Sequence, residues 1–512
     1  MKTIKYIAFL GAALMFASAC SDQSEEITTS VYDRLFSPTD LRGIVQGQTN
    51  IKFDWTAVRG AQSYVIELYH GDSEAGTLYK TVEGVTGTTW LVENLIGSTP
   101  YYCRVKAVGE GIGESLWSGY SISTAAEQIF LKVMETDVEA NDATLKWDAK
   151  GNPVTRITLT PGDITYTLTD EDIANQLANI PGLTGETEYT ADIYYDSSKR
   201  GTISFKTWID SSSATLVNEG DDFKTMLDNG TEGQSFAFAS ASTFDIGNYS
   251  LKKSVRIFSA SPSAKATITG RFTGSGSVVS SVRFAGVILD GAESQTNMVD
   301  INSAGSGIST LEFESCEIRN YTQRLMYNNN ATASYGNVTF NNCLIDNIGA
   351  GGDALDFRNG TLATLSLTNT TISNGIRSFL RCQIKAEVSI TNCTFYNICT
   401  VADSNNSGLF RMNNAEGTLT VGQSIFYGIG SDALVGTTQG VWARSGNINA
   451  TTNYSQNYYF SSPNLWGGMY ADNSSAVATE LDPKFVDAAG GDFTIQAEDM
   501  IYAKIGDPRW IQ

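Results

Sequence analysis

Between Val282 and Gly428, apolar and polar positions alternate in a ten-residue phrase, apolar-x-apolar-x-x-small-x-apolar-x-(Asn/Gly), that occurs six times. The copies are VRFAGVILDG, LEFESCEIRN, VTFNNCLIDN, LSLTNTTISN, VSITNCTFYN and LTVGQSIFYG, and their starts lie 29, 27, 27, 23 and 31 residues apart. Period-two alternation marks strands buried on one face, and recurrence every few tens of residues marks a solenoid, because one coil cannot bury its inner face without a neighbour. Stacking then places the sixth slot in one internal column: Val287, Cys316, Cys343, Thr370, Cys393 and Ser424. The tenth slot forms a turn column, Gly291, Asn320, Asn347, Asn374, Asn397 and Gly428, where residues tolerant of left-handed backbone are needed. A shorter apolar-x-apolar piece follows each phrase, at Val299–Ile301, Leu325–Tyr327, Leu355–Phe357, Phe379–Arg381, Leu409–Arg411 and Val441–Ala443. The pattern predicts two stacked sheets joined by Asn/Gly corners, a capping helix over Asp221–Gly230 and a first coil over Ser254–Gly270. Unequal spacing predicts loops of varied length between coils.

A different pattern precedes the solenoid. Trp55 leads to Tyr64-Val65-Ile66-Glu67-Leu68, then to Leu95-Ile96-Gly97-Ser98-Thr99-Pro100-Tyr101 and the alternating run through Cys103, Val105 and Ala107. Trp147 and Leu183-Thr184-Gly185-Glu186-Thr187-Glu188-Tyr189 repeat the arrangement. Leu-x-Gly-x-Thr-x-Tyr resembles the corner of fibronectin type III domains, which places Tyr101 and Tyr189 where a tyrosine hydroxyl bonds back to the backbone. The repeats from Val282 onward resemble the right-handed parallel β-helix of the pectin lyase-like superfamily. The fold class expected is therefore all-β: two fibronectin type III-like sandwiches followed by a right-handed, pectin lyase-like parallel β-helix.

The chain opens with Lys2, Lys5, an apolar stretch from Tyr6 to Phe16 and Ala17-Ser18-Ala19-Cys20. This is a secretory signal, too short to span a bilayer permanently. The small residues before Cys20 resemble a lipobox, with Ala17 where Leu is commoner, and imply cleavage before Cys20 and lipidation of its thiol. Ser21-Asp22-Gln23-Ser24-Glu25-Glu26 resembles the export tag of surface lipoproteins in Gram-negative glycan-utilisation systems. That implies an outer-membrane location, lipid-anchored and facing the exterior. The expected divisions are 1–19 signal peptide, 20–37 tether and linker, 38–126 and 127–210 sandwiches, and 215–512 β-helix.

A net charge of −21 excludes nucleic acid as a natural partner. Apart from Cys20, the six cysteines at 103, 316, 343, 382, 393 and 399 show no metal-ligand spacing, and are read as free buried thiols. His70, in a loop-like stretch, is the one histidine, which removes histidine-dependent triads and most zinc chemistry. It also disfavours a polygalacturonase-like hydrolase, whose pattern calls for a histidine and paired aspartates. Trp90 and Tyr120 are read as ordinary packing.

Cations gather where the chain is otherwise acidic. From Ala354 to Arg411, Arg358, Arg377, Arg381, Lys385 and Arg411 face only Asp356, Glu387 and Asp403. Arg358, Arg381 and Arg411, with Arg444 beyond, recur beside the second strand of successive coils, and a ladder of guanidiniums suits a carboxylated polymer. Tyr327 and Trp442 near its ends are candidates to stack on sugar rings, while salt bridges to Asp353 or Asp356 are the structural alternative. The resulting expectation is a surface protein that binds an extracellular, acidic, pectin-like polysaccharide without a cofactor, either as a monomer or within a glycan-uptake complex. Two alternatives stand beside it. One is a calcium-dependent polysaccharide lyase with Lys385 or Arg411 as base and Asp353 and Asp356 as calcium ligands, a reading by analogy with β-helix lyases. The other is a structural adhesin. Leu481–Asp487, Gly506-Asp507-Pro508-Arg509-Trp510 and Tyr32–Pro38 resemble segments of uncharacterised surface lipoproteins that join fibronectin-like modules to a β-helix.

Overall fold

The computed structural model describes residues 32–467 and 476–511, so Cys20 and the whole signal segment lie outside the described residues. The chain divides into two compact units with the boundary at Glu127/Gln128. The second sandwich, expected to stand as a separate domain over 127–210, belongs to the same unit as the solenoid.

The first unit is a two-sheet antiparallel sandwich. Arg42–Gln46, Asn50–Asp54 and Thr89–Val92 form one sheet, and Thr77–Val85, Ser63–His70, Pro100–Val108 and Ser118–Ser123 form the other, in that order. This is the fibronectin type III arrangement. Tyr101, Cys103, Val105 and Ala107 all point inward and are fully buried. The Ile96 N–H donates to the Tyr101 hydroxyl at 3.1 Å, which makes the expected corner. His70 ends a strand instead of lying in a loop, against the rings of Tyr101 and Tyr79. Trp90 stacks on Phe53, with ring centroids 5.9 Å apart.

The second sandwich repeats the plan with a shorter first sheet, Asp142–Lys146 paired with Leu177–Pro181. Its corner is again formed, by the Thr184 N–H on the Tyr189 hydroxyl at 3.0 Å. Arg200 is buried there, and its guanidinium donates to the carbonyls of Ala149, Asn152 and Pro153, so the buried charge is well supplied with acceptors.

The solenoid carries three strand columns per coil where two were expected. The first column is a ten-stranded parallel sheet running from Thr215–Val217 to Thr451–Ser455. The repeated phrase itself bends at its fifth slot and supplies the second column, for example Glu317–Arg319 and Leu344–Ile348. The apolar-x-apolar piece supplies the third: Asn297–Asp300, Arg324–Asn328, Asp353–Phe357, Ser378–Cys382 and Gly408–Met412. Val441–Ala443 is not itself a strand, yet it still stacks, since Val441 and Trp442 carbonyls accept from the Leu409 and Phe410 N–H groups. Coils begin earlier than Ser254, with Gln234–Phe238 parallel to Val255–Ser259. The capping helix forms over Phe223–Asn229, and Asp222 accepts from the Thr225 N–H at 3.0 Å at its start.

Corner chemistry explains the phrase. At the fifth slot Gly286, Ser315, Asn342, Asn369, Asn392 and Gln423 are all left-handed, with φ between 48° and 55°. At the tenth slot Asn320, Asn347, Asn374, Asn397 and Gly428 are left-handed too, whereas at Gly291 the left-handed pair is the following Ala292 and Glu293. Between the corners the sixth slot is a small hydrogen-bond donor in every copy but the first, which has Val287. Cys316, Cys343, Thr370, Cys393 and Ser424 each donate to the carbonyl two residues earlier, at 3.4, 3.4, 2.8, 3.3 and 2.8 Å. Thiol and hydroxyl interchange there because each is small, fits the interior and satisfies a buried carbonyl. Inside, Phe284, Phe313 and Phe340 stack at 5.3 and 4.6 Å, one ring per coil. All six described cysteines are free and buried.

Candidate functional site

The third column presents the cationic face. Along Ser378–Cys382 every residue is buried except Arg381, which is half-buried. Ladder register sets Tyr327, Asp356, Arg381 and Arg411 in one line over four successive coils. Adjacent rungs are about 4.8 Å apart. Arg358 lies just past the end of its strand, two residues beyond Asp356, and so is out of this line, a correction to the ladder drawn from the sequence. On the next two coils Gln383 and Asn413 likewise follow the strand ends, their N–H groups bonded to the Phe357 and Cys382 carbonyls.

Each guanidinium is held by the residue two positions away, but by different chemistry. Arg358 forks onto Asp356, Nε to Oδ1 at 2.9 Å and Nη2 to Oδ2 at 2.8 Å. Asp356 is fully buried and also receives Arg324 Nε at 3.3 Å. Arg381 instead donates Nε and Nη2 to the amide oxygen of Gln383 at 3.2 and 2.9 Å. Arg411 donates Nε to the amide oxygen of Asn413 at 2.8 Å. The carboxylates nearest Arg381 are Asp353 at 3.7 Å and Asp356 at 4.0 Å, both beyond hydrogen-bond length. Asp353 is bonded closely to Arg377, at 2.9 Å.

The electrostatics follow the geometry. Hydrogen bonding to Asp356 raises the Arg358 pKa above its ordinary value. Burial, followed by the charges of Arg358 and Arg411, pushes that of Arg381 down. Burial and Arg411 do the same to Arg444, whose guanidinium is anchored on the carbonyls of Thr438, Ser404 and Asn406. Asp356 and Asp353, at 4.0 and 3.7 Å, act on Arg381 in the opposite sense without outweighing burial and the two neighbouring arginines.

The remaining expected residues fall unequally. Tyr327 stands in line at one end, with Arg324 4.6 Å and Arg358 5.7 Å from its ring centre. Trp442 is a correction: it is fully buried among Phe410, Phe426, Tyr454 and Trp466, so it is core and offers no ring to a sugar. Lys385 sits beyond the strand on an exposed turn, paired with Glu416 at 3.4 Å. Among the described residues it makes no bond to Asp353 or Asp356. Both aspartates are engaged by guanidiniums, and no group of three or more His, Cys, Asp or Glu suited to a metal occurs among the described residues. Arg324, Gln383 and Asn413 were missed by the sequence reading. The signal for the last two was present as Arg-x-Gln and Arg-x-Asn spacing on successive coils.

Comparison with known proteins places this face across two matched segments. Residues 242–375 match a family model described as Domain of unknown function (DUF4957), and residues 388–510 match one described as Domain of unknown function (DUF5123). Arg324, Asp356 and Arg358 fall in the first, Arg411 and Asn413 in the second, and Arg381 and Gln383 between them. No curated protein matches. Among solved structures, a two-domain fibronectin type III segment of chicken tenascin is 18% identical, covering 33% of this chain and 99% of its own, with a TM-score of 0.25. The FN5 domain of Drosophila Lar is 20% identical over 18% of this chain and 98% of its own, with a TM-score of 0.15.

Proposed function

We propose that this chain is a lipid-anchored outer-membrane protein facing the cell exterior, and that its third solenoid face binds a linear acidic polysaccharide of the pectin kind. The reading rests on one observation: Arg381 and Arg411 stand in register on adjacent coils, both oriented by amide oxygens instead of carboxylates. In a chain of net charge −21 such a pair is a local exception, and a polymer with carboxylates along its length suits a face built of equal steps. The sandwiches serve as spacers from a lipid on Cys20. The pectin lyase-like, right-handed character of the solenoid belongs to the same proposal.

Affinity electrophoresis of the intact protein against polygalacturonate, its methyl ester and neutral glucans tests the reading. Retardation by the free acid alone supports it, and indifference to every polymer defeats it. Ultraviolet absorbance of the same mixtures reports unsaturated uronide, the product of elimination. Calcium-dependent growth of that signal, lost in Lys385→Ala, replaces the binding reading with a lyase.

A further inference from the structure

Arg358, one coil before Arg381, shows what this face does when charge is to be cancelled: Asp356, two residues away, forks onto it. In the next two coils the order is reversed: Arg381 and Arg411 stand in line with Asp356, and each reaches two residues forward, to Gln383 and Asn413. An amide oxygen orients a guanidinium as well as a carboxylate oxygen does, yet leaves its charge in place. The backbone of Gln383 is fixed, because its N–H donates to the Phe357 carbonyl at 2.9 Å. Asn413 is fixed on both sides, its N–H on the Cys382 carbonyl at 3.2 Å and its Nδ2 on the Gly446 carbonyl at 3.0 Å. The Asn413 amide is therefore a support held from behind, and the Gln383 amide extends from a backbone fixed in the ladder.

We propose that Gln383 and Asn413 are positioning residues that keep Arg381 and Arg411 aligned and cationic, and so make the face selective for free carboxylates over their esters or neutral sugars. This deepens the acidic-polysaccharide reading and rests on it. A carboxylate at either position neutralises the arginine from within and competes with the ligand.

The decisive comparison uses the full chain with Gln383→Glu, Gln383→Met and Asn413→Asp, titrated with polygalacturonate and with its methyl ester, alongside Arg381→Ala as reference and with thermal melting of each variant. Expected is a loss of roughly tenfold or more for Gln383→Glu and Asn413→Asp, at unchanged or higher melting temperature, with Gln383→Met losing less than Gln383→Glu. The methyl ester binds weakly to all variants. A merely structural role gives the reverse order, since Glu keeps the hydrogen bond that Met lacks. That reversed order, or wild-type affinity in both acidic variants while Arg381→Ala binds more weakly, overturns this inference and leaves the binding reading standing. Wild-type affinity in Arg381→Ala overturns the binding reading itself and the inference with it.

Discussion

Trp208 Nε1 donates to the carbonyl of Ser259 at 2.8 Å, joining the end of the second sandwich to an early solenoid coil. Its ring packs against Ala237, Phe258 and Ala285, and it lies so close over Gly286 that a Cβ there would sit 2.5 Å from the indole. The indole is thus a plug that makes sandwich and solenoid one unit. Trp208→Ala removes the plug and leaves a cavity, at an expected cost of about 3 to 5 kcal/mol to this unit. Differential scanning calorimetry should show this unit melting earlier, with the first sandwich unaffected; an unchanged trace argues against the plug.

Ile390 is fully buried and lies in register between Leu367 and Val421. Ile390→Asp would place an unpaired charge inside the stack, a loss expected to exceed about 4 kcal/mol. Near-wild-type melting of that variant would contradict the register.

The parts of this fold that were legible in the sequence are those where one slot has one physical job. The sixth-slot column and both tyrosine corners are of that kind: the first takes only small buried residues and each corner a tyrosine, at a fixed distance from a turn. The bend that splits each phrase into two strands was not legible. The fifth slot holds Gly286, Asn342, Asn369 and Asn392, but Ser315 and Gln423 interrupt the column, and the flanking apolar positions carry the alternation straight through the corner. Facing failed for Trp442 because Val441-Trp442-Ala443 is apolar throughout and all three are buried, which leaves no alternation to read. The cationic face was legible as composition. Its line-up was not, since the unequal coil lengths hide the two-residue offset of Arg358.

Glu186 ties the second sandwich to Arg256 and to Arg283, the latter at 2.7 Å. Burial raises the Glu186 carboxyl, but hydrogen bonds and charge from the two arginines outweigh it and hold its pKa below the ordinary value. A folded pKa below the unfolded one gives stability present above about pH 4.3 and lost as pH falls through the folded value. Glu186→Gln is expected to be less stable than wild type by about 1 to 3 kcal/mol at pH 7 and equal to it at strongly acid pH. Denaturant titrations at both pH values check this, and a pH-independent difference would refute it.

Lys385 and Glu416 form an exposed pair, a class worth about 0 to 1 kcal/mol. Lys385→Ala should leave melting and polymer affinity close to wild type. Phase partition gives the matching check on the tether: Cys20→Ala should move the mature protein from the detergent phase to the aqueous phase, because an acyl anchor is what holds such a chain to a membrane.

The most direct test of the acidic-polysaccharide reading is calorimetric titration of polygalacturonate into wild type, Arg381→Ala, Arg411→Ala and the double variant at low and moderate salt. Each single loss of a charge-assisted pair is expected to weaken binding by about 1.5 to 3 kcal/mol, roughly ten- to a hundredfold, and most clearly at low salt, where screening is weakest. The double variant should not bind measurably. Affinity unchanged from wild type in both single variants would contradict the claim that this pair of guanidiniums is the binding site.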